Sequence, residues 1–222
     1  MTAGANKTFL GDPLGFLNTN VIVPHSSLQT RANGQARIIN VNLVLDSTGK
    51  SCINHLGNTV PMYSAMGAPS KLFTKSNAFK AYYLPYTNNK TKQMNLGIHA
   101  NFFITDKIDG CTFASGINGG QNPLVVHINK QDNSGLIDQT RIDNKVSRLF
   151  GTQLYSQLSL PDYISPEEVL AKADNNAPNA KTHVTVIGIR SAVGWTFYFQ
   201  RRNWIGGNQY RLIDTQGGCT QI

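Results

Sequence analysis

Alternation of apolar and polar residues with a period of two is the feature that most constrains how this chain can fold. Residues 39–46, INVNLVLD, place Ile39, Val41, Leu43 and Leu45 on one side of an extended segment. This period is typical of a strand with one buried face. Six further segments rich in β-branched and aromatic residues have strand character: 79–84, 98–105, 124–128, 184–189, 196–200 and 210–213.

Helical signals are fewer. Residues 165–173, SPEEVLAKA, begin with a capping serine, a proline at the first helical position and a glutamate that completes a capping box. Residues 142–158 carry apolar side chains at helical spacing, and Gly151 is expected to end or bend that helix. Because strands dominate and the helices group in the middle, the pattern predicts an α+β fold. We expect a sandwich of mainly antiparallel or mixed sheets with a few marginal helices.

Composition and charge narrow the class of protein. A chain of 222 residues with 40% hydrophobic residues suits one domain, so we expect a single domain over 1–222. We find no apolar run of membrane-spanning length, no classical signal peptide and no phosphate-binding motif, and we expect no cofactor. The net charge is +8, but the basic residues are scattered along the sequence and predict a dispersed, solvated surface.

The three cysteines are Cys52, Cys111 and Cys219, an odd and sparse set that leaves at least one free thiol. Cys111 follows the Asp109-Gly110 pair, which favours a tight turn, and His127 lies in the strand candidate 124–128. A hairpin-like return would bring the thiol and the imidazole together, so that the imidazole stabilises a thiolate nucleophile and unpaired amides near Cys111 face an oxyanion. The alternative is a buried thiol and an ordinary packed histidine.

A resemblance favours the first interpretation. The segments GCTFASG and PLVVHIN, separated by a Gly-rich loop, and AYYLPY at residues 81–86 resemble the catalytic region of the Burkholderia lethal factor and cytotoxic necrotizing factor toxin family. The resemblance implies a protein glutamine deamidase with Cys111 as nucleophile and His127 as base. It also implies that the backbone carbonyl of Thr105 orients the imidazole. The family's Leu-Ser-Gly-Cys motif reads Ile-Asp-Gly-Cys here, which places Asp109 where the family has serine.

The same resemblance implies a toxin that is secreted or delivered into the host cytosol, and we expect a monomer. Its implied partner is a host protein such as a Rho-family GTPase or a translation-initiation RNA helicase. A thiol transglutaminase or protease would share the cysteine-histidine pair. A basic nucleic-acid-binding module would not need it and could instead use the aromatic stretch at 195–199 with Arg201 and Arg202. That stretch is also typical of a strand that faces the core, so we expect nucleic acid not to be the partner.

Overall fold

The computed structural model describes residues 2–54, 56–68, 77–117, 119–120, 122–164, 182–213 and 219–222. The helices are α1 Thr2–Gly11, α2 Pro13–Thr19, α3 Ser26–Ala32, α4 Gln139–Phe150 and α5 Leu160–Tyr163. The strands are β1 Val21–Pro24, β2 Arg37–Leu45, β3 Ser51–Ile53, β4 Thr59–Val60, β5 Met62–Gly67, β6 Phe79–Leu84, β7 Thr91–Asn95, β8 Phe102–Thr105, β9 Thr112–Ile117, β10 Pro123–Ile128, β11 Tyr155–Leu158, β12 Thr182–Ser191, β13 Gly194–Gly206, β14 Gln209–Leu212 and β15 Thr220–Gln221.

The strands form two sheets. The large sheet has the order β1-β5-β2-β6-β8-β12-β13-β14-β3-β4, with β15 beside β13, and it is mixed because β1/β5, β6/β8 and β14/β3 pair in parallel. The small sheet has the order β11-β9-β10-β7 and is antiparallel at every pair. The predicted α+β sandwich of mixed and antiparallel sheets is confirmed.

The layers stack as helices, large sheet, small sheet, helix. One face of the large sheet carries α1, α2 and α3, whose Phe9, Phe16 and Leu28 pack against β2 and β6. Its other face packs against the small sheet through the cluster that contains Phe103 and Phe113. The outer face of the small sheet is covered by α4, where Ile142, Val146 and Phe150 pack on β9 and β10.

The prediction that the helices group in the middle was wrong, because three of them lie within the first 32 residues. The helix α1 lacks a strong apolar stripe, and tertiary contacts hold it in place. Phe9 is fully buried, and the side chain of Asn6 donates to Asn42 Oδ1 at 2.9 Å and accepts from the Leu43 amide at 2.7 Å. Contacts of this kind override local propensity and leave no local signature.

Several predicted boundaries also shift. The helix predicted over 142–158 ends at Phe150 against Gly151, whose φ of 60° favours glycine, and the rest of that segment forms the edge strand β11. The strand predicted over 98–105 begins only at Phe102, and the one predicted over 196–200 extends to Gly194–Gly206. The helix predicted over 165–173 lies outside the described residues.

The aromatic stretch of β13 belongs to the core, as the alternation predicts: Phe197 and Phe199 are 7% and 8% exposed. No helix in the described ranges is both long and apolar enough to cross a membrane.

Gly188 of β12 lies between two aromatic residues of the same sheet, Phe103 of β8 and Phe197 of β13, with which it pairs. A Cβ atom there would lie 2.9 Å from Phe103 Cβ and 3.0 Å from the Phe197 ring. We expect Gly188→Ala to lower the free energy of unfolding by about 1–3 kcal/mol, because overpacking forces the neighbours apart. Urea titration measures this change. Gly4→Ala in α1 is the control, since a Cβ at Gly4 meets nothing within 4 Å. A destabilisation of equal size in both variants would contradict the packing argument.

Candidate active site

The pairing of β9 with β10 brings the predicted cysteine and histidine to one face of the small sheet. Ile128 pairs with Thr112 and His127 with Phe113. The next pair outward joins Cys111 to Asn129, whose Nδ2 donates to Cys111 Sγ at 3.3 Å. Cys111 and His127 are therefore diagonal neighbours, a relation that separates Cα atoms by roughly 7–8 Å. The predicted hairpin-like return is confirmed.

The backbone around Cys111 is held by a residue that sequence reasoning missed. The hydroxyl of the buried Tyr163 donates to the carbonyl of Cys111 at 2.7 Å and accepts from the amide of Gly110 at 3.0 Å. Gly110 has a φ of 146°, a conformation that side chains with a Cβ rarely adopt. The Gly110 amide, one of the groups expected to be unpaired near Cys111, is thus occupied. Tyr163 lies 52 residues along the chain, and no local pattern connects the two.

Burial controls the protonation of both groups. Cys111 is fully buried and His127 is 2% exposed. Desolvation raises the pKa of the Cys111 thiol to about 12, with a smaller opposing effect from the Asn129 hydrogen bond and a smaller reinforcing effect from the charge of Asp109. Desolvation lowers the pKa of His127 to about 4, against the attraction of Asp106 and Asp109. At neutral pH both groups are therefore neutral in this closed arrangement, which differs from the expected thiolate stabilised by the imidazole.

The imidazole of His127 has no hydrogen-bond partner on either ring nitrogen among the residues that the structure describes. A buried polar group of this kind costs free energy, and each native example calls for an explanation. The Tyr86 ring faces it at 6.0 Å between centroids. An imidazole on the same sheet face as a thiol and free of fixed partners is able to take up and return a proton once the two groups come within hydrogen-bond distance.

Thr105, the third predicted residue, is the last residue of β8 in the large sheet. Its side chain is buried, and its hydroxyl accepts from the Val186 amide at 3.0 Å. Since both nitrogens of His127 are unpaired, the Thr105 carbonyl is not bonded to the ring in this structure. The orienting role of Thr105 therefore stays a prediction.

Two carboxylates lie on the segment between Thr105 and Cys111. Asp109 forms an ion pair with Lys107, with 2.6 Å between Nζ and Oδ2. Asp106 Oδ2 accepts from the Tyr86 amide at 3.3 Å, and its Oδ1 accepts from the Lys107 amide at 2.8 Å. The backbone N–H of Asp109 is directed at the Cys111 sulfur and lowers the pKa of the thiol, while the Asp109 charge raises it. Asp109 therefore acts on the thiol in opposite directions through its amide and its side chain.

Other candidate sites are sparse. In the described part of the chain, no group of three or more histidine, cysteine and acidic residues could hold a metal ion. Cys52 is buried in a separate cluster with Val21 and Leu212. A groove of about 600 Å³ lies at the far end of β9, lined by Gly116, Ile117 and residues of β11 and β13 rather than by Cys111 or His127.

Comparison with known proteins adds little beyond this geometry. No family model matches the chain, and no curated protein matches it. Among solved structures, the chain is similar to the C-terminal domain of CNFy from Yersinia pseudotuberculosis, with 10% sequence identity and a TM-score of 0.44 over 100% of this chain and 97% of that one. A likeness at this level transfers no residue role.

The pKa of His127 makes stability depend on pH. Because the folded-state pKa of about 4 lies below the ordinary histidine pKa of 6.5, the unfolded chain binds more protons between these values. The free energy of unfolding should therefore fall as the pH drops from 6.5 to 4, by up to about 3 kcal/mol from this group. Urea titration across this range, for the native protein and for His127→Gln, measures the difference. An identical pH dependence in the two proteins would contradict the buried neutral imidazole.

Asp109 is tested by the pH dependence of Cys111 alkylation in a background where Cys52 and Cys219 are serine. We expect Asp109→Ser to shift the profile to lower pH, because it removes a negative charge that raises the thiol pKa. Asp109→Asn is the matched control, since it removes the charge but keeps a side chain able to cap the turn. A shift with Ser but not with Asn would assign the effect to turn capping instead of charge.

Proposed function

We propose that this protein is a toxin-type protein glutamine deamidase in which Cys111 and His127 convert a target glutamine to glutamate. The observation that carries the proposal is a buried imidazole, free of any described hydrogen-bond partner, on the same sheet face as a buried thiol. The sulfur also receives donors from Asn129 and from the Asp109 backbone, which stabilise negative charge there. The resemblance of GCTFASG and PLVVHIN to the toxin family supports the same conclusion.

In the first half of the reaction, His127 takes the proton of the Cys111 thiol, and the sulfur attacks the carboxamide carbon of the target glutamine. The C=O electrons move onto oxygen, and the resulting oxyanion needs N–H donors other than the Gly110 amide, which already donates to Tyr163. The protonated His127 then gives its proton to the amide nitrogen. The C–N bond breaks, ammonia leaves, and a thioester joins Cys111 to the substrate.

In the second half, His127 takes a proton from water while the water oxygen attacks the thioester carbon. The C–S bond breaks, and the sulfur recovers a proton through the imidazole. The net change is one water consumed and one ammonia released for each glutamine converted. The product carboxylate places a charge where the target had a neutral amide, which disrupts a site that cannot pair it.

The closed arrangement requires a preceding opening step. Cys111 is fully buried, so a glutamine side chain must displace part of the cover before the sulfur can attack. Tyr86 is half-buried and faces the His127 ring, which makes it the side chain best placed to move. Water that enters on opening reduces the desolvation that now keeps the thiol and the imidazole neutral.

The wider proposal rests on the resemblance. We treat residues 1–222 as a single catalytic domain that acts in a host cytosol, with Thr105 contributing its carbonyl to orient His127. A Rho-family GTPase and a translation-initiation RNA helicase are the first substrates to test. The residues that would determine which of these substrates binds lie outside the matched segments GCTFASG and PLVVHIN.

The experiment is intact-mass analysis of each recombinant substrate after incubation with the native protein, with Cys111→Ser and with His127→Asn. We expect the native protein to give the mass increase of one amide-to-acid conversion, and both variants to lose nearly all activity. Cys52→Ser is the matched control, because Cys52 is also buried but lies in a separate core cluster.

Fragments of the substrate would identify a protease, and adducts with an added amine would identify a transglutaminase. Deamidation that persists in Cys111→Ser at the native rate would exclude the thiol mechanism. Circular dichroism melting of each variant separates loss of chemistry from loss of fold.

A further inference from the structure

Five basic residues from three separate parts of the sequence meet in one groove of about 590 Å³. They are Lys90, Lys130, Arg141, Lys145 and Arg148, and the other described residues that line the groove are Thr91 and Asn144. The scattered positions of the basic residues in the sequence predict a dispersed surface charge, and for these five residues that prediction was wrong. We name this feature the basic groove.

The fold assembles the basic groove from two elements. Arg141, Lys145 and Arg148 are spaced by four and three residues on α4, so they share one face of the helix. The apolar residues of α4 occupy another face and pack on the small sheet. Lys90 precedes β7, Lys130 follows β10, and the hydrogen bond from the Asn129 amide to the Lys90 carbonyl, at 3.0 Å, holds the two chain segments together.

Most of the positive charge in the basic groove is not neutralised by the protein. Arg141 lies 3.9 Å from Asp138, measured from Nε to Oδ2, and Lys130 donates to the Asn89 carbonyl at 3.2 Å. Among the residues that the structure describes, Lys90, Lys145 and Arg148 form no ion pair. Asp143, the other carboxylate of α4, accepts instead from Gln139 and Gln157. Several like charges in one concave site attract anions and raise the rate of encounter with them.

The basic groove adjoins the candidate active site through two asparagines. Asn129 donates to Cys111 Sγ through Nδ2, and its Oδ1 accepts from the Asn89 amide at 2.7 Å. Asn89 and Asn129 each immediately precede a lysine of the groove. Lys90 and Lys130 therefore each lie one residue along the chain from an asparagine of the pair that reaches Cys111 Sγ.

We infer that the basic groove is the docking surface for an acidic face of the protein substrate, next to the glutamine that Cys111 attacks. This inference rests on the proposed function, because only a protein substrate presents carboxylates and a target glutamine together. Described residues of the basic groove include no aromatic ring on which nucleobases could stack, a feature common in single-strand binding sites. The occupant that fits is thus a cluster of Asp and Glu side chains.

The test measures binding of a fluorescein-labelled peptide of Asp and Glu residues around one glutamine. Cys111→Ser is the starting protein, so that no turnover occurs. We expect the double substitution K145E/R148E to weaken binding roughly tenfold, the effect that a few reversed surface charges can produce, and added salt to reduce the difference. K7E/R211E is the matched control, since both side chains are exposed, lie outside the basic groove and give the same change in net charge. K145Q/R148Q, which removes charge without reversing it, is the second variant if the reversal disturbs the fold.

Equal weakening by K145E/R148E and K7E/R211E would overturn the inference, because net charge alone would then explain the binding. The inference would also be overturned if a single-stranded DNA oligonucleotide bound more tightly than the peptide and K145E/R148E abolished that binding. In the protein that keeps its native Cys111, unchanged kcat/KM for a deamidated substrate after K145E/R148E would reject the groove and leave the deamidase intact. Selective peptide binding without any deamidation would support the groove and reject the deamidase.

Discussion

The contact between the two sheets is the interaction on which the site depends. Phe103 of β8, Phe113 of β9 and Phe197 of β13 form a triangle with ring centroids 5.5–5.8 Å apart. Aromatic groups of this kind bury large areas and prefer such tilted geometries. Because β8 ends at Thr105 and β9 begins directly after Cys111, the triangle fixes the two chain ends between which the Cys111 turn must pass. A change in sheet spacing would therefore move the sulfur relative to β8.

Burying polar side chains in this interface costs free energy, which the apolar contacts of the core must offset. Cys111, His127 and Asn129 occupy positions on the small sheet that face the large one, and the imidazole lacks any described partner. Desolvation keeps the thiol and the imidazole neutral, so the resting site carries no reactive thiolate. Under the proposed mechanism, reactivity would depend on a partner that opens the cover over the site. Unsatisfied buried groups of this kind concentrate at functional sites.

Sequence reasoning recovers what is local and periodic. Alternation located β2, β-branched and aromatic content located β6 and β10, and helical spacing located α4 as far as Gly151. The helix α1 was missed because it depends on contacts of Asn6 with β2. The strand β11 was missed because its pairing with β9 is set by tertiary structure rather than by local sequence. At the site, the sequence predicted the Cys111–His127 pair but not the contacts of Tyr163 or Asn129. A hydrogen bond between residues far apart in sequence produces no local sequence pattern. The basic groove was missed for the same reason.

The side chain of Asn129 contacts both the Cys111 sulfur and the turn that precedes β7. An amide side chain can present either its oxygen or its nitrogen, and the hydrogen bond from the Asn89 amide to Oδ1 selects the orientation that turns Nδ2 toward the sulfur. Asn89 itself adopts a φ of 53°, a left-handed conformation in which asparagine is tolerated better than most residues. The turn before β7 therefore controls a donor to the nucleophile, and the same turn carries Lys90 into the basic groove. Under the proposed function, an anionic partner bound at Lys90 would act on the same turn, and through Asn89 and Asn129 on the hydrogen bond to the Cys111 sulfur.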